Sequence, residues 1–175
     1  MQQKMPSFAE LLAETTYTAL HLEMRDHYAV DEEADDFAQW QATGQRDADP
    51  TSPNWAPWVA KIREATARGV AVRRVRIISE PASDYIRYEH AATDVNTLAG
   101  EEVRWLARTS ASDLALPGND FWVFDDRVVR FHYFAGDGRW TYDELRDEPQ
   151  VVKLCRDAFE AAWDRSVPHE DYRLA

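Results

Sequence analysis

Lys61-Ile62-Arg63-Glu64-Ala65-Thr66-Ala67-Arg68-Gly69-Val70-Ala71-Val72-Arg73-Arg74-Val75-Arg76-Ile77-Ile78-Ser79 changes its hydrophobic period at a glycine. Before Gly69, the residues Trp55, Trp58, Val59, Ile62 and Ala65 recur at three- and four-residue steps, one face of a helix that Asn54 can cap. After it, Val70 to Ser79 is rich in β-branched residues with apolar side chains on both parities, as in a strand covered on both faces. Glycine at the junction supplies the left-handed residue on which helices commonly stop. The step then repeats. Pro81 opens a helix through about Ala99, with Tyr85, Tyr88, Ala92 and Val95 on its apolar face, and Gly100 ends it. Glu101 to Arg108 follows as a strand with Val103, Trp105 and Ala107 on one side.

Beyond the Thr109–Asn119 loop, Phe121–Phe124 and Val128–Phe134 read as two strands joined tightly at Asp125-Asp126-Arg127. Ala135-Gly136-Asp137-Gly138 is a further turn. A last helix runs from about Glu148 or Pro149 to Arg165 over Val152, Cys155, Phe159 and Trp163. Helix, strand, helix, three strands and helix predict an α/β (α+β) fold, a mixed β-sheet flanked by helices. Upstream, Ser7 and Glu10 form a capping-box pair. Thr15–Tyr28 fits a helix or a strand, and Asp31–Ala42 a short acidic helix ended by Gly44. The expectation is one domain over 1–175. It has a mostly helical N-terminal segment at 1–53, with a mobile loop at 45–53, and an α/β core at 54–175.

Composition sets the outer bounds. A chain of 175 residues buries roughly two thirds of its unfolded surface without needing a disulfide or metal staple. Hydrophobic residues at 45% and aromatics at 12% are too abundant for a disordered chain. The net charge of −12 opposes nucleic-acid binding, which draws on Lys and Arg to displace counterions, and equally opposes a polybasic membrane role. Cys155 is the single cysteine, so neither an internal disulfide nor a multi-cysteine metal site can form. No run approaches ~20 apolar residues and Met1–Pro6 lacks the apolar core of a signal peptide, so a cytoplasmic location is expected.

Two resemblances follow from these segments. Lys61–Arg73, Leu98–Leu106 and Phe121-Trp122-Val123-Phe124-Asp125-Asp126-Arg127-Val128-Val129, in that order, resemble the helix–glycine–strand steps and the strand–Asp–strand hairpin of phospholipase D-like domains. The resemblance implies that fold over the last two thirds of the chain, and a homodimer by analogy. Those enzymes use a phosphorylated histidine assisted by a lysine two residues on. Here Gly118-Asn119-Asp120 occupies the place, and none of His21, His27, His90, His132 or His169 has a lysine two residues later. The nucleophile motif is therefore absent. Arg74–Glu89, Asp120–Asp126 and Leu22-Glu23 with Arg25-Asp26-His27-Tyr28 further resemble an actinobacterial family of uncharacterised domain proteins, encoded near helix-turn-helix regulators and BldB-like proteins. That resemblance implies a protein partner of that kind, or a small molecule.

The densest chemistry lies at Arg74 and Arg76, on one face of a strand, with Glu80 at its end and Asp84, Tyr85, Arg87 and Glu89 on the next helix. Two readings stand: an ion-pair network clamping helix to strand, or a polar pocket for a ligand or partner, placed where α/β sheets collect ligands. Asp120 and Trp122 on the hairpin, and Trp105 between Arg104 and Arg108, join the candidate binding residues. No catalytic residue, metal ligand or cofactor is assigned. A Glu23/His27 pair on a helix lacks a third ligand, and the hairpin aspartates suit the turn itself. The sequence thus predicts a non-enzymatic regulatory or interaction module. The alternative is a carboxylate- or metal-dependent hydrolase or phosphodiesterase using Glu80, Asp84, Asp120 and Asp125.

Overall fold

The computed structural model describes residues 5–175. Ser7 starts the chain's first helix, α1 (Phe8–Glu14): its hydroxyl accepts from the Glu10 amide at 3.2 Å and its own amide donates to Glu10 at 2.7 Å. The next strand, β1 (Thr18–Glu23), leads through a 3-10 turn at Asp31–Glu33 into α2 (Ala34–Thr43). The two helix–glycine–strand steps follow as α3 (Ala56–Ala67), β2 (Ala71–Ile78), α4 (Asp84–Ala99) and β3 (Glu102–Ala107). Ser83 caps α4, its side chain accepting from the Ile86 amide, and Gly100 closes it at φ 108°, where a Cβ carries strain. The strands β4 (Phe121–Phe124) and β5 (Val128–Phe134) form the expected hairpin. Asp125 and Asp126 both sit at positive φ, 52° and 51°, the backbone that a two-residue turn between twisted strands requires. Then come β6 (Trp140–Arg146), α5 (Pro149–Arg165) and a short β7 (Val167–Pro168).

Among the described residues, the seven strands form one mixed sheet in the order β6-β5-β4-β1-β2-β3-β7. β1, β2 and β3 are mutually parallel, and the other pairings are antiparallel. Two expectations change here. The 1–53 segment is not a helical appendage, because β1 is the middle strand of the sheet, paired with β2 on one side and β4 on the other. The stretch after the Gly136 turn is also a strand, β6, at the sheet's edge.

Strand alternation gives the sheet two unlike faces. On one, Leu20, Leu22, Val75, Ile77, Phe121, Val123 and Val129 pack under α5, which contributes Val152, Cys155, Phe159, Ala162 and Trp163. The centre of this face is apolar, and Arg73 and Arg104 at its margin lie over the Trp163 ring. The other is covered at one end by α1 and α3, through Leu11, Leu12, Val59 and Ile62 on Ala19, Val72 and Phe124. At the opposite end α4 seats Tyr85, Ile86 and Tyr88 against Ile78 and Trp105. A gap between these two covers, roofed by α2, leaves part of the sheet face open. Among the described residues no helix is long and apolar enough to cross a membrane.

Candidate functional site

Strand register lines up the open part of the face as two rows of side chains. In the first row, Arg130, Trp122, His21 and Arg74 are successive cross-strand partners on β5, β4, β1 and β2. In the second, Asp143 of β6 pairs with His132, and Glu23 pairs with Arg76, whose next neighbour is Trp105. Asp120 fills the space between these pairs: its carbonyl accepts from the His132 amide, and its carboxylate accepts from the Met24 amide at 2.9 Å and from the Tyr28 hydroxyl. The result is a polar floor on one face of the sheet, opposite the core under α5.

Two arginines of this floor, Arg74 and Arg76, are each held by two carboxylates. Arg76 donates to Glu23 at 2.7 Å, Glu89 at 2.6 Å and Thr93 at 2.9 Å. Arg74 donates to Glu101 at 2.6 Å and Glu23 at 3.1 Å, and Asn96 donates to the other Glu101 oxygen at 2.8 Å. The Glu101 side chain is 0% exposed. A buried charge persists only when paired and hydrogen-bonded, and this cluster meets that condition. Burial alone would raise the Glu23 pKa, but Arg74 and Arg76 together hold it far below the carboxylate range. Asp120, with no guanidinium on it, is pushed by burial up to about 6. Burial likewise drives His21 well below its ordinary value, so the ring is neutral at pH 7. It lies stacked on Trp122, centroids 4.2 Å apart. Despite its burial, Asp143 is held down to about 2, by the His132 bond at 2.8 Å above all.

Above the floor lies a cleft of about 880 Å³. Phe8, Trp55 and Trp58 wall one side and Tyr28, Tyr85 and Tyr88 the other. The roof hangs from α4 through two tyrosines: Tyr85 donates to Glu33 and Tyr88 to Asp36, each at 2.7 Å. Arg46, just past α2, donates to the Tyr88 carbonyl and lies over the Tyr88 ring, 3.5 Å from its centroid. Burial and the nearby Glu89 charge both raise the Glu33 pKa.

Of the residues singled out by sequence, Arg74, Arg76, Tyr85, Glu89, Asp120 and Trp122 line this cleft together. Four do not. Glu80 turns to the other edge, where it accepts from the Tyr172 hydroxyl at 2.5 Å. Arg87 donates to the Ala175 carbonyl at 2.8 Å, so both residues hold the C-terminal tail. Asp84 is an exposed first-turn residue of α4. Trp105 is 0% exposed, under Arg76, with its indole N–H donated to His169 at 3.0 Å; it is core, not a partner surface. Nor do the four carboxylates of the hydrolase alternative assemble. Asp125 instead accepts from the Thr16, Tyr17 and Thr18 amides at 2.7, 2.6 and 2.9 Å, tying the hairpin to the start of β1. Glu23 ends a strand, so it forms no helical pair with His27. His21, Arg46, Trp58, Glu101, Arg130 and Asp143 escaped the sequence reading as site residues. For His21 with Glu23, and Arg130 with His132, a two-residue polar spacing like that of Arg74 and Arg76 was the available signal.

The chain belongs to the domain-of-unknown-function family DUF6879, whose model matches residues 6–174. No curated protein matches it. Among solved structures it is similar to Nuc from Salmonella typhimurium, a phospholipase D family member. The identity is 12% over 94% of this chain and 88% of that one, with a TM-score of 0.53. NucT from Helicobacter pylori shares 10% identity over 91% and 87% of the two chains, TM-score 0.49. TrmBL2, an archaeal chromatin protein, shares 15% over 90% of this chain and 47% of its own, TM-score 0.49. At 12% identity the likeness to Nuc shows the fold alone: a phospholipase D-like mixed α/β sheet flanked by helices.

Proposed function

We propose that this protein is a small-molecule recognition module on a phospholipase D-like scaffold. The observation that carries the reading is the roofed cleft itself, about 880 Å³ over a floor whose arginines are locked by carboxylates. Its volume falls in the range of pockets that enclose a drug-sized ligand, and aromatic walls with a few fixed polar groups are what such pockets use. Phosphoryl transfer through a phosphohistidine has no support from the hairpin, where Gly118-Asn119-Asp120 stands in place of histidine and lysine. On this reading a protein partner, a helix-turn-helix regulator included, would sense occupancy through α2, the roof element that a ligand touches from below.

A thermal-shift screen of a chemically broad compound library, followed by tryptophan fluorescence, tests the proposal, since Trp55, Trp58, Trp122 and Trp140 all line the cleft. A ligand at one hundred times its Kd is expected to stabilise the fold by ~2.7 kcal/mol and to change the emission. The hydrolase reading has one observation in its favour: Asp120, raised to about 6, adjoins Glu23 and could exchange a proton near neutrality. Turnover of phosphodiester or ester substrates, with or without Mg²⁺, that Asp120→Asn abolishes in a folded protein would replace recognition with catalysis.

A further inference from the structure

The cleft is unbalanced in its hydrogen bonding, and the imbalance has a direction. Four residues that line it each carry a buried side-chain nitrogen without a hydrogen-bond partner among the described residues: Trp58 Nε1, Arg46 Nε, Arg130 Nη1 and His21 Nδ1; the other such atoms, Arg25 Nε, Ser52 Oγ, Arg73 Nε and His90 Nε2, belong to residues outside the cleft. Of the four cleft nitrogens, the first three can only donate. His21 Nδ1 stands 3.9 Å from Glu23 and Arg46 Nε 3.6 Å from Asp36, both beyond hydrogen-bond reach. No carboxylate or carbonyl oxygen of a cleft side chain is left over in the same way. Leaving a buried donor without a partner costs folding free energy, and a native fold retains several in one place when something else satisfies them.

Three of the four surround one aromatic plane. Trp122 is flanked by Arg130 and His21 in strand register, with the His21 ring stacked on it at 4.2 Å and the Trp58 ring 6.5 Å away. Arg46 stands apart, 5.5 Å from the Trp55 ring. Charge narrows the occupant further. The cleft is lined by Arg46, Arg74, Arg76 and Arg130 against Glu23, Glu32, Glu33, Asp36, Glu89 and Asp120. Arg74 and Arg76 are already consumed by carboxylates, and Arg130 donates to Asp143 at 2.7 Å. A phosphate or other dianion would therefore enter a field of surplus negative charge with no unpaired cation to receive it. His21, held neutral by burial, adds none.

We infer that the cleft binds an uncharged, planar heterocycle rich in carbonyl or ring-nitrogen acceptors, of nucleobase or nucleoside kind. The inference rests on the proposed recognition role and assigns its ligand class. The ring stacks among the tryptophans, and its acceptors take the Trp58 N–H and the free Arg130 and His21 nitrogens. The 5′-phosphorylated form is disfavoured, in contrast to a site built for phosphodiesters.

The test is fluorescence and calorimetric titration with adenosine, guanosine, uridine and cytidine, each beside its 5′-monophosphate. At least one nucleoside is expected to bind, its monophosphate at least fivefold more weakly. Trp58→Phe, which removes the N–H together with the five-membered part of the indole, should weaken the nucleoside about five- to tenfold while the variant still unfolds cooperatively. Tighter binding of the monophosphate, or equal affinity for the Trp58→Phe protein, overturns the assignment. If all the nucleosides fail while amines or carboxylates from the broad screen change the cleft's fluorescence, the ligand class is wrong and recognition stands. If no compound of any class does so, both fall.

Discussion

Glu23→Gln tests the polar floor most directly, because it removes one charge shared by two buried guanidiniums. Glu23 accepts from Arg74 at 3.1 Å and Arg76 at 2.7 Å, and its side chain is 15% exposed. Breaking a buried ion pair from one side costs ~3–5 kcal/mol. Arg74 keeps Glu101 and Arg76 keeps Glu89, so the lower end applies: about 3 kcal/mol, or roughly 6–12 °C in Tm for a chain of this size. The pH dependence separates this effect from a packing defect. The arginines outweigh burial and depress the folded-state pKa of Glu23. Its charge therefore stabilises the fold fully above its unfolded pKa, about 4.3, and that stabilisation fades as pH falls towards the folded value. Urea unfolding of both proteins at pH 7 and pH 3.3 should show the gap between them shrinking by about 1.4 kcal/mol at the lower pH. A loss below ~1 kcal/mol at pH 7, or a gap that does not change with pH, would refute the network as described.

Asp125→Ala should lower stability by about 2 kcal/mol in urea unfolding, since it strips three amides of their acceptor and places alanine at φ 52°; Asp125→Asn, which tolerates that backbone, should cost clearly less. The C-terminal tail should loosen in mild acid. Burial lowers the pKa of both His90 and His169, whose rings lie 4.6 Å apart, against a partial counter-effect from Asp94, 3.2 Å from His169. Their contribution is therefore present above the unfolded value of ~6.5 and is lost below it. Hydrogen exchange corrected for intrinsic rate should show less protection of the His169 and Tyr172 amides at pH 5.5 than at pH 7.5. Cys155, 0% exposed with its thiol pushed up to about 12 by burial, should react with a disulfide reagent only as fast as the chain unfolds.

The parts of the fold legible in sequence were those whose signal is local. Gly69 and Gly100 each separate a helical period from a strand, and Val152, Cys155, Phe159 and Trp163 lie four or fewer residues apart on α5. β1 was not legible, because Tyr17–Glu23 carries His21 and Glu23 among apolar residues and fits either period; only β2 and β4, far along the chain, fix it as a strand. β6 lies at the sheet edge with Trp140 and Tyr142 exposed, so burial had imposed no alternation to read. At the site, Arg74 and Arg76 were placed correctly on one strand face by spacing alone. Glu80, Asp84 and Arg87 were misplaced because closeness in sequence stood in for closeness in space. The true carboxylate partners of the two arginines are Glu23, Glu89 and Glu101, and two of these come from other strand–loop units.

The contrast between the sheet's two faces bears on what the polar one is for. Stability alone does not call for it: buried ion-pair networks replaced by well-packed apolar residues commonly leave a protein equally or more stable. The α5 face shows the same sheet packed that way, with Leu20, Leu22, Val75, Ile77 and Phe121 under Phe159. On the opposite face the same strands carry His21, Glu23, Arg74 and Arg76, two of them arginines that need three separate carboxylates to be tolerated. That face also lines a cleft of about 880 Å³, and its residues carry buried donors without a partner among the described residues. Donors left unpartnered cost folding free energy, which a ligand that completed their hydrogen bonding would return. On the proposed recognition role, the polar face serves as the site and the α5 face supplies the stability that lets it persist.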